Sequence, residues 1–247
     1  MVFEKEKPEI VIHLAGAMGL RKPANDAAFI ADSNFLARTQ IILEACAASS
    51  VKKIVFISSG GAIYENATQV PTPEDYPAHP TTPYGLANLA IEKEIGAFCE
   101  SNTLNFIIAR LANVYGPGQW QSGFIPAMIL KMLKGENPMI FGDGRQTRDF
   151  VYIDDAVGAI MMLAEQGKNQ MYNVGGGREE SLNEIFAEIK NMLGVNVEPV
   201  YQAAHSKETL RSALDIAKIA KELGWQPNVG LHDGLEKTIE YYKNAKP

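Results

Sequence analysis

The sequence predicts an open α/β fold, a doubly wound parallel sheet followed by a smaller C-terminal α/β region. Three observations predict it. Apolar residues run without interruption at Ile10–Leu14, Ile54–Ile57 and Phe106–Ala109, and unbroken rather than alternating apolarity marks strands buried on both faces. Long stretches with apolar residues at helical spacing separate these runs, as parallel crossovers require. Small or polar residues follow each run, Ala15-Gly16-Ala17, Ser58-Ser59-Gly60-Gly61 and Asn113, at the strand ends where such sheets bind ligands.

Taken in order, Met1 to Lys7 reads as the tail of a helix stopped by Pro8. The first strand follows, with His13 inside it as a core histidine. Residues 26 to 50 read as a helix, and Lys52-Lys53 lead into the second strand. Residues 65 to 83 hold five prolines and form a long surface loop. A helix over Leu86–Cys99 and the third strand come next, then the loop Arg110 to Gly118. Beyond it the pattern predicts a helix over Phe124–Leu133, then Met139-Ile140-Phe141 running into the tight turn Gly142-Asp143-Gly144, and one strand over Arg148–Ile153. Asp154 is expected to cap a helix Ala156–Glu165. A strand Gln170–Val174 ends at Gly175-Gly176-Gly177. Ser181 and Glu184 form a capping box for Leu182–Leu193. Asp215 starts a short helix ending at Gly224, and Leu231–Tyr242 closes the chain.

The chain has 247 residues, net charge −6 and a pI near 5.3. An acidic balance argues against non-specific nucleic-acid binding, while a local Arg can still hold a phosphate-bearing small molecule. Cys46 and Cys99 lie in apolar helical runs and read as reduced core residues of a cytoplasmic protein. No signal peptide and no membrane-length apolar stretch is visible.

The chemistry centres on Pro83-Tyr84-Gly85-Leu86-Ala87-Asn88. A tyrosine on the first turn of a helix can move a proton if something lowers its pKa from about 10. The usual helper is a lysine one turn later on the same face; here that position is Asn88.

These stretches, with Val11-Ile12-His13-Leu14-Ala15-Gly16, Phe56 to Tyr64, Arg110 to Pro117, Phe141-Gly142-Asp143-Gly144 with Arg148 to Tyr152, and Leu223-Gly224-Trp225-Gln226-Pro227, resemble the extended short-chain dehydrogenase/reductases. Within them the chain is most similar to the NAD-dependent sugar-nucleotide epimerase/dehydratases, in their UDP-glucose 4-epimerase branch. The resemblance implies a truncated Rossmann-type sheet, with residues 1–121 as a partial NAD-binding domain. Residues 122–247 would be the substrate region, about 150–175 of them returning to the sheet. It implies NAD contacts from Leu14, Ala15, Gly16, Asn34, Ser58, Tyr84 and Ala112, and no metal. Tyr84 would be the base, with Ser59 and Asn88 at the catalytic positions beside it. Asn113, Phe141, Gln146, Arg148 and His205 would bind the UDP-sugar. For Arg148 the alternative is a surface ion pair with Asp149 or Asp154.

The match also departs from the family pattern. The family opens on a strand and a Gly-x-x-Gly-x-x-Gly turn that holds the pyrophosphate; this chain opens at the family's fourth strand, which is expected to weaken NAD binding. Asn88 brings no charge to Tyr84. Counting back from Tyr64, the usual Ser/Thr position is Gly60, so Ser59 is expected to point elsewhere unless the loop shifts. His205 stands for a second diphosphate-binding arginine. The strand Ile10–Leu14 becomes an apolar edge, prone to pair with another chain; a homodimer through the helices matching 26–50 and 82–101 is the other expectation. Three readings follow: a UDP-sugar 4-epimerase, a catalytically silent nucleotide-sugar-binding relative or subunit, or a piece of a longer enzyme.

Overall fold

The computed structural model describes residues 2–14, 35–119, 121, 123–204 and 209–244. Among them a parallel sheet of four strands runs in the order β1 (Ile10–His13), β2 (Lys53–Ser59), β3 (Asn105–Leu111) and β8 (Gln170–Val174). The register pairs Ile12 with Val55, Ser58 with Arg110, and Arg110 with Asn173. Each predicted strand run is present, and β2 and β3 extend further in both directions than their apolar residues alone indicate.

Both faces of the sheet are covered, which is why its central strands are apolar throughout. On one face α2 (Phe35–Ala47) and α4 (Pro83–Asn102) bury Leu43, Cys46, Ile91 and Ile95 against Ile54 and Phe56. His13 belongs to this core, its ring nitrogen 3.1 Å from the Thr39 hydroxyl. Both cysteines are buried there and free, their thiols pushed up to about 11 and about 12 by burial. On the other face α6 (Ile153–Gln166) and α8 (Ala217–Leu223) pack Ala159, Leu163 and Ile219 on Val55 and Ile107. No described helix is long and apolar enough to cross a membrane.

A second core joins α5 (Phe124–Leu133), α7 (Leu182–Leu193) and α9 (Leu231–Asn244) around Ile129, Ile140, Ile185 and Leu235. The capping box at Ser181 and Glu184 is formed as expected. Short ribbons link the cores. β4 (Asn113–Tyr115) pairs with β7 (Phe150–Tyr152), β6 (Thr147–Arg148) with β9 (Glu180–Ser181), and β5 (Met139–Phe141) with β10 (Val200–Gln202).

Two expectations are corrected here. The single strand over Arg148–Ile153 is two strands, because Asp149 between them turns its carboxylate inward to the backbone N–H groups of Gly176, Gly177 and Leu214. Asp154 does not cap the following helix. That helix starts at Ile153 with Tyr152 at its N-cap and no side-chain cap bond. Asp155, in the first turn, accepts from the backbone of Asn228 and Val229 and ties the C-terminal segment down.

Candidate active site

Tyr84 is placed by the start of α4. Thr82 caps the helix, its hydroxyl accepting from Gly85 N at 3.2 Å, and Pro83 sits at the first helical position, where its missing N–H costs nothing. Glu65 fixes the cap in turn, accepting from Thr81 N (2.7 Å) and from the Thr82 hydroxyl (2.5 Å). Glycine is required at 85 because the chain passes close by: a Cβ there would lie 2.5 Å from the Ala62 carbonyl oxygen.

This turn sets Tyr84 beside the end of β2. The Ser59 side chain lies near enough to the Tyr84 phenol to favour its ionised form, rather than pointing elsewhere. The local reason is the short helix α3 (Gly60–Ile63), which starts directly after Ser59. Asn88 is buried below, its amide donating to the Tyr84 carbonyl oxygen at 2.9 Å. Burial holds the Tyr84 phenol above its ordinary range, and the nearby polar side chains of Ser59 and Asn88 only partly oppose it. Both partners are neutral, so neither can do what a nearby cation does for a phenolate.

Position 60, the usual place of a catalytic hydroxyl, is filled from elsewhere. A Cβ on Gly60 would lie 2.6 Å from a Leu214 methyl carbon. Leu214 is itself buried and held by its N–H bond to Asp149 at 3.0 Å.

Beneath the site lies a buried polar cluster that the sequence reading missed. Glu92, on α4, accepts from the Ser58 hydroxyl (2.5 Å) and pairs with Arg110 through two bonds of 3.0 and 2.6 Å. Arg110 also donates to the Tyr64 hydroxyl at 2.5 Å, with its guanidinium over that ring. A charged residue at the end of each apolar segment, Glu92 in the helix and Arg110 on the strand, was the available signal, since charges there need partners. Ser58 thus spends its hydroxyl in the interior.

The other predicted residues fall into two groups. Ala112 and Asn113 directly follow β3, and Asn113 donates from backbone and side chain to the Asp149 carbonyl oxygen at 3.0 and 2.9 Å. Arg148, half-buried, donates to the carbonyl oxygens of Thr147 and Thr209 at 2.7 and 2.8 Å. Gln146 is buried and braces the turn through the Phe141 carbonyl oxygen at 2.5 Å. Asp149 is the hinge between Asn113 and Arg148, and burial pushes its carboxyl up to about 6 against the N–H bonds it accepts. The three glycines that end β8 are its cradle, since a Cβ on Gly175 would lie 2.5 Å from the carboxylate. Leu14 lies exposed at the end of β1. Ala15, Gly16, Asn34 and His205 lie outside the described residues.

Known proteins share this fold and much of this sequence. The chain is 37% identical to a UDP-glucose 4-epimerase of Thermotoga maritima solved with UDP-glucose. The two superpose with a TM-score of 0.93 over 98% of this chain and 79% of that one. A Thermus thermophilus UDP-glucose 4-epimerase, solved with NAD, superposes with a TM-score of 0.92 at 27% identity, over 99% of this chain and 81% of that one. The UDP-glucose 4-epimerase of Mycolicibacterium smegmatis is 34% identical over 242 residues, 96% of this chain and 77% of its own length. Residues 1–175 match the model of one family. The chain belongs to the NAD dependent epimerase/dehydratase family.

Proposed function

We propose that this protein binds a UDP-sugar and NAD and carries out chemistry of the UDP-glucose 4-epimerase type at sugar C4, slowly at neutral pH. The observation that carries the reading is the nearness of the Ser59 hydroxyl to the Tyr84 phenol at the strand ends, with neutral Asn88 below it. The described residues fit a flat cofactor ring. Ser59 pairs in register with Leu111, so that half-open Ala112 follows beside half-open Ser59 and Tyr84. NAD, when bound, would take the hydride from C4 and return it to the opposite face. Tyr84 would take and return the hydroxyl proton, and Ser59 would orient that hydroxyl. Leu14, Ala15, Gly16 and Asn34 would meet the cofactor, as would Ser58 through its backbone. Asn113, Phe141, Gln146, Arg148 and His205 would hold the sugar nucleotide, Arg148 as a guanidinium fork on the diphosphate.

In this division residues 1–121 serve the cofactor and 122–247 the substrate, with about 150–175 returning to the sheet. Work in the cytoplasm is consistent with the two buried free thiols. Self-association, through the outer edge of β1 or as a helix-mediated homodimer, completes the reading.

The test is conversion of UDP-glucose to UDP-galactose with added NAD. Turnover should be poor at pH 7 and rise about tenfold per pH unit toward alkaline pH, as the protonated Tyr84 begins to ionise. Turnover at ordinary enzyme rates, roughly 1–1,000 per second, at pH 7 would defeat the impaired-base reading. Asn88 also favours a second reading, a silent sugar-nucleotide binder, and UDP binding without turnover at any pH would select it. Arg148→Ala should weaken UDP binding by roughly 1.5–3 kcal/mol, the worth of a charge-assisted hydrogen bond, measured by calorimetry.

A further inference from the structure

The reacting pair Ser59–Tyr84 is made of two residues on different elements, one at the end of β2 and one at the start of α4. Something must hold those elements at a fixed offset for the two hydroxyls to face each other. We infer that Glu92 is the positioning residue of this site, one buried carboxylate that sets Ser59 and Tyr84 side by side. The inference rests on the reading of those two residues as the reacting pair.

Glu92 lies two turns beyond Tyr84 on the same helix. Its carboxylate accepts from Ser58, the residue before Ser59, and pairs with Arg110. Ser58 and Arg110 are opposite each other in the β2–β3 register. Glu92 therefore grips both members of one rung of the sheet, next to the strand ends. Arg110 extends the grip to Tyr64, just past the α3 turn that follows Ser59. All four side chains are at least 96% buried, at 4% exposure for Glu92, Ser58 and Tyr64 and 3% for Arg110. A buried ion pair is weak as a source of stability, because apolar residues of the same shape often serve as well. Its directional bonds are what apolar packing cannot replace, and here they end on the residue adjoining Ser59.

The experiment reads Tyr84 in the ligand-free protein. With 3-fluorotyrosine incorporated, its fluorine resonance is assigned by its loss in Tyr84→Phe and followed through a pH titration. Ser59→Ala, which removes the neighbouring hydroxyl directly, should raise the midpoint by about 0.5–1 unit. Glu92→Gln should raise it in the same direction, and should add nothing in the Ser59→Ala background. Charge alone acts in the opposite sense: loss of the carboxylate leaves Arg110 without its counter-ion, which favours the phenolate and lowers the midpoint. A midpoint unchanged or lowered in Glu92→Gln, or a rise that adds to that of Ser59→Ala, overturns the inference. Should Glu92→Gln fail to fold, Ser58→Ala removes the strand-side bond alone and must raise the midpoint too; no rise there is equally fatal. Since no ligand is present, failure of UDP or NAD binding leaves this result intact, and the reverse holds as well.

Discussion

Gly60 and Leu214 show how a single position closes off one chemistry. The site has room at residue 60 for a hydrogen and no more, because a Leu214 side chain fills the volume that a catalytic hydroxyl would occupy. Gly60→Ser should therefore lower unfolding stability by about 1–3 kcal/mol, as overpacking does, read from denaturant midpoints. An unchanged midpoint would mean that Leu214 swings aside freely. On the proposed reading the hydroxyl function passes to Ser59, and what remains weak is the charge: burial raises the Tyr84 pKa, and Asn88 answers with an amide. The residue types at 59, 60, 84 and 88 were legible in the sequence. Their mutual geometry was not, since a one-residue offset in a loop is absorbed or not absorbed by packing that lies 150 residues away in the chain.

The elements depend on a few side chains that turn inward from their ends. Asp149 interrupts what the apolar pattern reads as one strand and ties β8's glycine exit, Leu214 and Asn113 together. Its carboxyl is raised from an ordinary 3.8 to about 6, chiefly by burial. The folded protein therefore holds this proton more tightly than the unfolded chain. Stability from this group is fully present below about pH 4 and is lost as pH rises through about 6. The gap corresponds to roughly 3 kcal/mol. Subtracting the pH-stability profile of Asp149→Asn from that of the unmutated protein should leave a fall between pH 4 and 6. A flat difference would show the carboxylate to be ionised throughout. The strands β4, β5 and β10, and the pairing of β4 with β7 and of β5 with β10, escaped the sequence reading for a related reason. Two or three residues carry too little periodicity to register, and their pairing is decided by distant partners.

At the scale of the whole molecule the described sheet ends on β8 at one side and on β1 at the other. β8 is flanked by α8 and the tyrosine–glutamate bonds of Tyr172 and Glu222, whereas β1 pairs only with β2 among the described residues. Ile10 is 38% exposed and Leu14 67% exposed on that outer strand. An apolar parallel edge with unpaired backbone groups recruits another chain. Light scattering should show concentration-dependent association, and Ile10→Lys, which adds a charge to the edge, should weaken it. A monomer at every concentration before mutation would refute pairing through this edge.

By itself the sequence determined the fold class, the order of the main elements and the place of the Tyr84–Asn88 stretch at the start of a helix, because these follow from local periodicity, capping residues and motif spacing. Tyr84 and Asn88 sit one helical turn apart whatever surrounds them. Only the tertiary structure decided that Ser59 reaches Tyr84, that Leu214 occupies the place of a hydroxyl at Gly60, and that Glu92, Arg110 and Asp149 are buried joints rather than surface charges. Those outcomes depend on contacts between residues far apart in the chain. Burial and hydrogen-bond geometry there are set by packing, which no local pattern encodes.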